Sequence, residues 1–164
     1  MLNLKHLNPE QLLVQTLAAV KKERESYTFV LNHLREWDRR KLYAGMKYPS
    51  LFEFTVKKLG YDDGAASRRI AAMRLIVDIP EVEAKIESGN ISLTAAAMTH
   101  RFFKRQKEQG KPIAYEAKKE FLKGIENKST RETQTLIVAK DPMMAVRETV
   151  KPATAELVEL KLFV

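Results

Sequence analysis

The chain has 164 residues, 45% apolar and 30% charged, enough to bury a core in one or two small domains. It contains no cysteine, which excludes disulfide frameworks, thiol catalysis and zinc sites built on sulfur. A net charge of +8 favours an acidic partner, because a summed positive field concentrates polyanions near the surface.

The opening Met1-Leu2-Asn3-Leu4-Lys5-His6 lacks a charged leader followed by an apolar core. No stretch approaches the ~18 apolar residues of a membrane span, so the cytoplasm is the expected location. The first helix is expected at Asn8-Pro9, where Asn8 can accept a free amide hydrogen and proline suits the first helical position. Leu13, Leu17, Val20, Arg24, Tyr27, Leu31 and Leu34 then follow at alternating steps of four and three, one seam on one face. Continued to about Tyr43, the helix would reach ~50 Å at 1.5 Å per residue. Arg24 interrupts the seam, which suits a helix folded against its own domain, with a coiled-coil dimer as the alternative. Gly45 and Pro49 end the segment.

Ser50-Leu51-Phe52-Glu53 reads as a capping box, and Phe52, Val56 and Leu59 as the buried face of a short helix ended by Gly60. Asp62 or Asp63 is expected to cap the next helix after a tight turn. There Ala66, Ile70, Met73 and Val77 share an arc assigned to the core. Arg68 projects nearly opposite, with Ser67 and Ala71 on one flank and Ala72 and Arg69 on the other, and Leu75 shares that outward side, where a neighbouring helix or a partner subunit is expected to cover it. Pro80 introduces a further helix closed by Gly89, and Ser92 caps another running from Leu93 to about Lys107.

The densest basic run is His100-Arg101-Phe102-Phe103-Lys104-Arg105-Gln106-Lys107. Its phenylalanines read as core at least as readily as base-stacking groups, since duplex DNA does not expose base faces. Gly110-Lys111-Pro112 breaks the chain, a helix follows from Ile113 to about Glu126, and Ser129-Thr130-Arg131-Glu132 is a second capping box. Residues 141–164 read as a linker and a strand-like segment, in which residues 156–164 alternate polar and apolar side chains. The expected architecture is therefore mainly α: a helical domain over 1–140, with a helix-turn-helix-like core over 50–98, a long N-terminal helix and a C-terminal strand-like segment.

The ingredients of an active site are missing from the sequence pattern. His6, His33 and His100 lie far apart and pair with no nucleophile motif or metal-ligand spacing. Asp62 and Asp63 read as caps rather than calcium ligands, and no glycine-rich phosphate cradle occurs. No catalytic residue, metal or cofactor is expected.

Several runs carry a family resemblance: Tyr48-Pro49-Ser50-Leu51-Phe52-Glu53-Phe54, Leu59-Gly60-Tyr61, Ala65-Ala66-Ser67-Arg68-Arg69-Ile70-Ala71-Ala72-Met73-Arg74-Leu75, and Gly89-Asn90-Ile91-Ser92-Leu93-Thr94-Ala95-Ala96. Together they resemble the helical N-terminal region of bacterial HNH-endonuclease-like proteins. Such proteins continue into a nuclease domain, whose histidine and asparagine motif this chain lacks, so the resemblance implies only an accessory role in DNA recognition. More distantly, Leu59-Gly60, Ser67 to Leu75, Pro80-Glu81-Val82 and Gly89 to Ala96 are similar to partition-protein (ParB-type) DNA readers, from which the acidic turn Tyr61-Asp62-Asp63-Gly64 departs.

Double-stranded DNA is accordingly the expected partner. Ser67, Arg68, Arg69 and Arg74 would meet phosphates or base edges, while Lys57, Lys58, Arg101, Lys104 and Arg105 add sequence-independent attraction. The competing reading of Arg68 and Arg69 is a solvated face with ion pairs to Asp62, Asp63 or Glu53. The alternative function is a protein-interaction or oligomerisation module, a homodimer through the long helix or the terminal strand. A third reading is a fragment of a metal-dependent nuclease.

Overall fold

The computed structural model describes residues 4–145 and the backbone of two short strands beyond them. Eight α-helices occur among the described residues: α1 Pro9–Arg40, α2 Leu42–Gly45, α3 Leu51–Lys57, α4 Asp63–Asp78, α5 Val82–Ser88, α6 Leu93–Glu108, α7 Tyr115–Gly124 and α8 Thr130–Lys140. None is long and apolar enough to cross a membrane.

The helix starts follow local chemistry. Asn8 accepts from the Gln11 amide while the Gln11 side chain returns to the Asn8 amide, and Pro9 occupies the first turn. Asp62, Ser92 and Ser129 cap α4, α6 and α8 in the same way, and Ser129 completes a capping box with Glu132. Ser50 caps α3 by accepting from the Glu53 amide at 3.1 Å. Its expected reciprocal partner differs: the Glu53 carboxylate turns outward to Lys57 at 2.5 Å. α1 stops short of Tyr43, because Lys41 adopts the left-handed conformation at φ 49° and the single turn of α2 follows.

Packing is where two sequence expectations fail. In α3 the buried residues are Leu51, Phe54 and Thr55, while Phe52 and Leu59 are exposed. Both triplets satisfy helical spacing. The choice was made by Trp37 of α1, stacked on Phe54 at 4.3 Å between centroids, with Tyr48 meeting the same ring edge-on at 5.6 Å.

In α4, Ala66, Ile70 and Met73 are buried as expected, but Val77 is 54% exposed and Leu75 fully buried. α4 packs on α1, α3, α5 and α6, with its largest contact to α6, so nearly its whole circumference is enclosed. Ala71, Ala72 and Leu75, expected beside a groove-facing Arg68, are therefore core. Alanines on both partners, Ala71 and Ala72 in α4 and Ala95, Ala96 and Ala97 in α6, are buried, which lets two helix axes approach closely.

Phe102 and Phe103 take the core reading, forming a cluster with Phe121 of α7 at centroid distances of 5.3 and 5.7 Å. The helical body extends past Lys140. Asp141 is buried, its carboxylate accepting from Arg105 and Gln106, and Gln134 donates to the Met144 carbonyl. Of the strand-like run expected over 156–164, only Val158–Lys161 lies within the described residues. Its backbone pairs antiparallel with Thr149–Pro152, from Thr149 opposite Lys161 to Pro152 opposite Val158.

Candidate nucleic-acid interface

The part of α4 beside α6 that faces solvent is polar. Ser67, Arg74 and Asp78 are spaced seven and four residues apart, which keeps them on one side of the helix. α6 runs beside this strip and brings His100, Arg101 and Lys104. The start of α3 closes one end, and Asp38 and Tyr43 close another. The result is an open cleft of about 430 Å³.

Three cations converge there. Arg101 donates to the Ser67 hydroxyl at 2.9 Å, an interaction that orients the guanidinium without neutralising it. Arg74 reaches the Asp38 carboxylate at a long 3.4 Å, and Lys104 lies 3.6 Å from Glu108 one turn on. Both pairs are solvent-facing, where such contacts are weak and easily exchanged for an incoming anion.

His100 is the unusual member. Its Nδ1 is buried without a hydrogen-bond partner. Burial pushes its pKa below the ordinary histidine value; Asp78 opposes this, while Arg74, Lys104 and Lys118 add to it. The folded protein thus holds a neutral ring, whereas the unfolded chain protonates near pH ~6.5. The associated stability is complete above that pH and is lost as pH falls through the lowered folded-state value. Melting curves between about pH 7.5 and 5 should show this loss, and His100→Gln should flatten it; an unchanged slope would mean His100 binds its proton equally in the folded and unfolded chain.

The other expected contact residues divide into two groups. Lys57 and Lys58 lie at the far end of α3, about 10 Å along the helix from the cleft at 1.5 Å per residue; Lys57 is paired with Glu53. Arg68 forms no ion pair with Asp62, Asp63 or Glu53 and lies over Gly64. These three are open to solvent or partly so.

Arg69 and Arg105 are half-buried and engaged with neighbouring side chains instead. The Arg69 guanidinium lies over Tyr61 at 4.2 Å and Tyr27 at 5.4 Å, and Nη1 donates to the Ala65 carbonyl at 3.3 Å. Arg105 binds the buried Asp141 at 2.9 Å. Both side chains thus already have partners within the chain, which a contact with DNA would have to displace. Arg69→Ala should lower stability by about 1–2 kcal/mol, the range of a partly desolvated cation–π contact, and Arg69→Lys should restore little, since an ammonium cannot stack as a plane. Thermal unfolding checks both.

Asp38, Tyr43 and His100 were not singled out as contacts by the sequence. Nothing local marks them, because the chain reversal through α2 is what brings Asp38 and Tyr43 to the cleft. Among the described residues no group of histidines and carboxylates could hold a metal ion. Comparisons with protein-family models, with curated proteins and with solved structures each gave no match.

Proposed function

We propose that the chain is a DNA-binding helical module that grips duplex phosphates, with the cleft between α4 and α6 as its anchor. The observation that carries this reading is the convergence of Arg74, Arg101 and Lys104 around the buried, unpartnered His100 nitrogen. Arg101 held by a neutral hydroxyl, and Arg74 and Lys104 by long contacts to carboxylates, suit a polyanion, and phosphate contacts position a duplex without reading its sequence. The enclosure of α4 favours backbone contact over insertion of this helix into a groove, so the helix-turn-helix element of the proposal is a scaffold for the cleft. The kinship to the helical region of HNH-endonuclease-like proteins belongs to the same proposal: the module would hold DNA and contribute no catalytic residue or cofactor.

Fluorescence anisotropy of labelled duplexes across a salt series tests it. Engagement of three phosphates would give a slope of about −2.7 in log affinity against log salt. Absence of binding to mixed-sequence duplexes at low salt overturns the reading.

A second reading, self-association or protein interaction, is favoured by a separate observation: Leu12, Leu13 and Leu17, along the first half of α1, are exposed among the described residues.

A further inference from the structure

Residues 9–19 of α1 are exposed throughout, yet Leu12 to Val20 contain no charge and only two polar residues, Gln15 and Thr16. Thr16 donates its hydroxyl to the Leu12 carbonyl at 2.8 Å, so that donor is already satisfied within the helix. Leu13 and Leu17 are each 59% exposed and Val14 65%. A helix this apolar around its circumference is ordinarily covered. The segment is too short to hold helix by itself in water, but the packed half of α1 nucleates it.

The helix meets the body at Arg24, which donates to the Ser88 carbonyl at 2.9 Å and lies across Gly89. Beyond that point the seam outruns its domain. At 100° per residue, Leu13, Leu17 and Val20 share the arc of Leu31, which is buried downstream. The apolar strip on the arm is thus the continuation of a packing face that the described residues leave exposed.

We propose that this arm pairs antiparallel with the arm of a second copy of the chain. The inference rests on the second reading above and is independent of DNA binding. Charge selects both the occupant and the direction. Glu10 and Lys21 flank the same side of the seam at opposite ends of the uncharged stretch. With Leu13 of one copy opposite Leu17 of the other, an antiparallel pair sets each Glu10 beside the other's Lys21. A parallel pair would place the two copies' Glu10 and Lys21 on opposite flanks of the seam and form neither pair. Flanking charges of this kind decide orientation in helix pairs, and opposed helix dipoles favour the same answer. The arm is about 16 Å long at 1.5 Å per residue, so the contact is small and the association is expected to be reversible, in the micromolar range or weaker.

Sedimentation of the full chain across a concentration series is the test. A monomer–dimer equilibrium abolished by Leu13→Glu with Leu17→Glu supports the proposal, provided the melting curve is unchanged, as the exposure of both residues leads one to expect. Because the chain has no cysteine, orientation can be read directly from Leu13→Cys and Leu17→Cys proteins. On oxidation, mixing the two should yield chiefly the crossed 13–17 dimer, at least several-fold over either self-linked product. A chain that stays monomeric to about 1 mM, a dimer that survives the double glutamate variant, or dominance of self-linked products overturns it. A monomer that binds lipid vesicles through the arm overturns it also, assigning the strip to a membrane surface. Dimerisation without DNA binding would leave this inference standing and remove only the DNA reading.

Discussion

Leu75→Ala is expected to lower stability by about 2–5 kcal/mol, while Val77→Ala should change it by less than about 0.5 kcal/mol. Leu75 is fully buried between α4 and its neighbours, and truncation leaves a cavity that the alanine-lined contact with α6 cannot collapse to fill. Val77 is more than half exposed and loses little on truncation. For a chain of this length, the Leu75 effect corresponds to a melting shift of roughly 5–15 °C. Helical spacing alone gives the opposite ranking. Equal effects at the two positions would mean that α4 is rotated from the orientation described.

Arg101→Ala with Lys104→Ala is the change expected to affect DNA binding most. Each removes a cation from the cleft, and each lost phosphate contact should cost roughly tenfold in affinity and about 0.9 of salt slope. Lys57→Ala with Lys58→Ala, at the other end of α3, should cost only what general attraction supplies, a few-fold. The melting temperature should stay nearly constant in both double variants, since all four side chains are exposed. A reversed ranking, with Lys57 and Lys58 dominant, would move the interface away from the α4–α6 cleft. The Arg69→Ala protein is the internal contrast: it should lose stability and retain DNA affinity, because its guanidinium is held between Tyr61 and Tyr27.

How much could be read in advance follows from the range of the forces involved. Asn8, Asp62, Ser92 and Ser129 announce helix starts because a cap needs only a side-chain oxygen and an amide three residues on. Gly60 and Gly89 announce ends, since each adopts a positive φ that side chains disfavour. The mainly helical character, the long first helix and the absence of a local catalytic motif are likewise properties of short stretches of sequence.

Which face of each helix is buried is not local. Phe54 displaced Phe52 from the core because Trp37 and Tyr48 stack on it, and Leu75 replaced Val77 because α4 is enclosed by four neighbours. The same enclosure turned the arginines into two populations. Arg69 and Arg105 were taken into aromatic and carboxylate contacts, while Arg74 and Arg101 were left to converge from α4 and α6. Charge and helix boundaries thus come from sequence neighbours, whereas the cleft and the uncovered arm of α1 exist only because distant segments pack where they do and stop where they do.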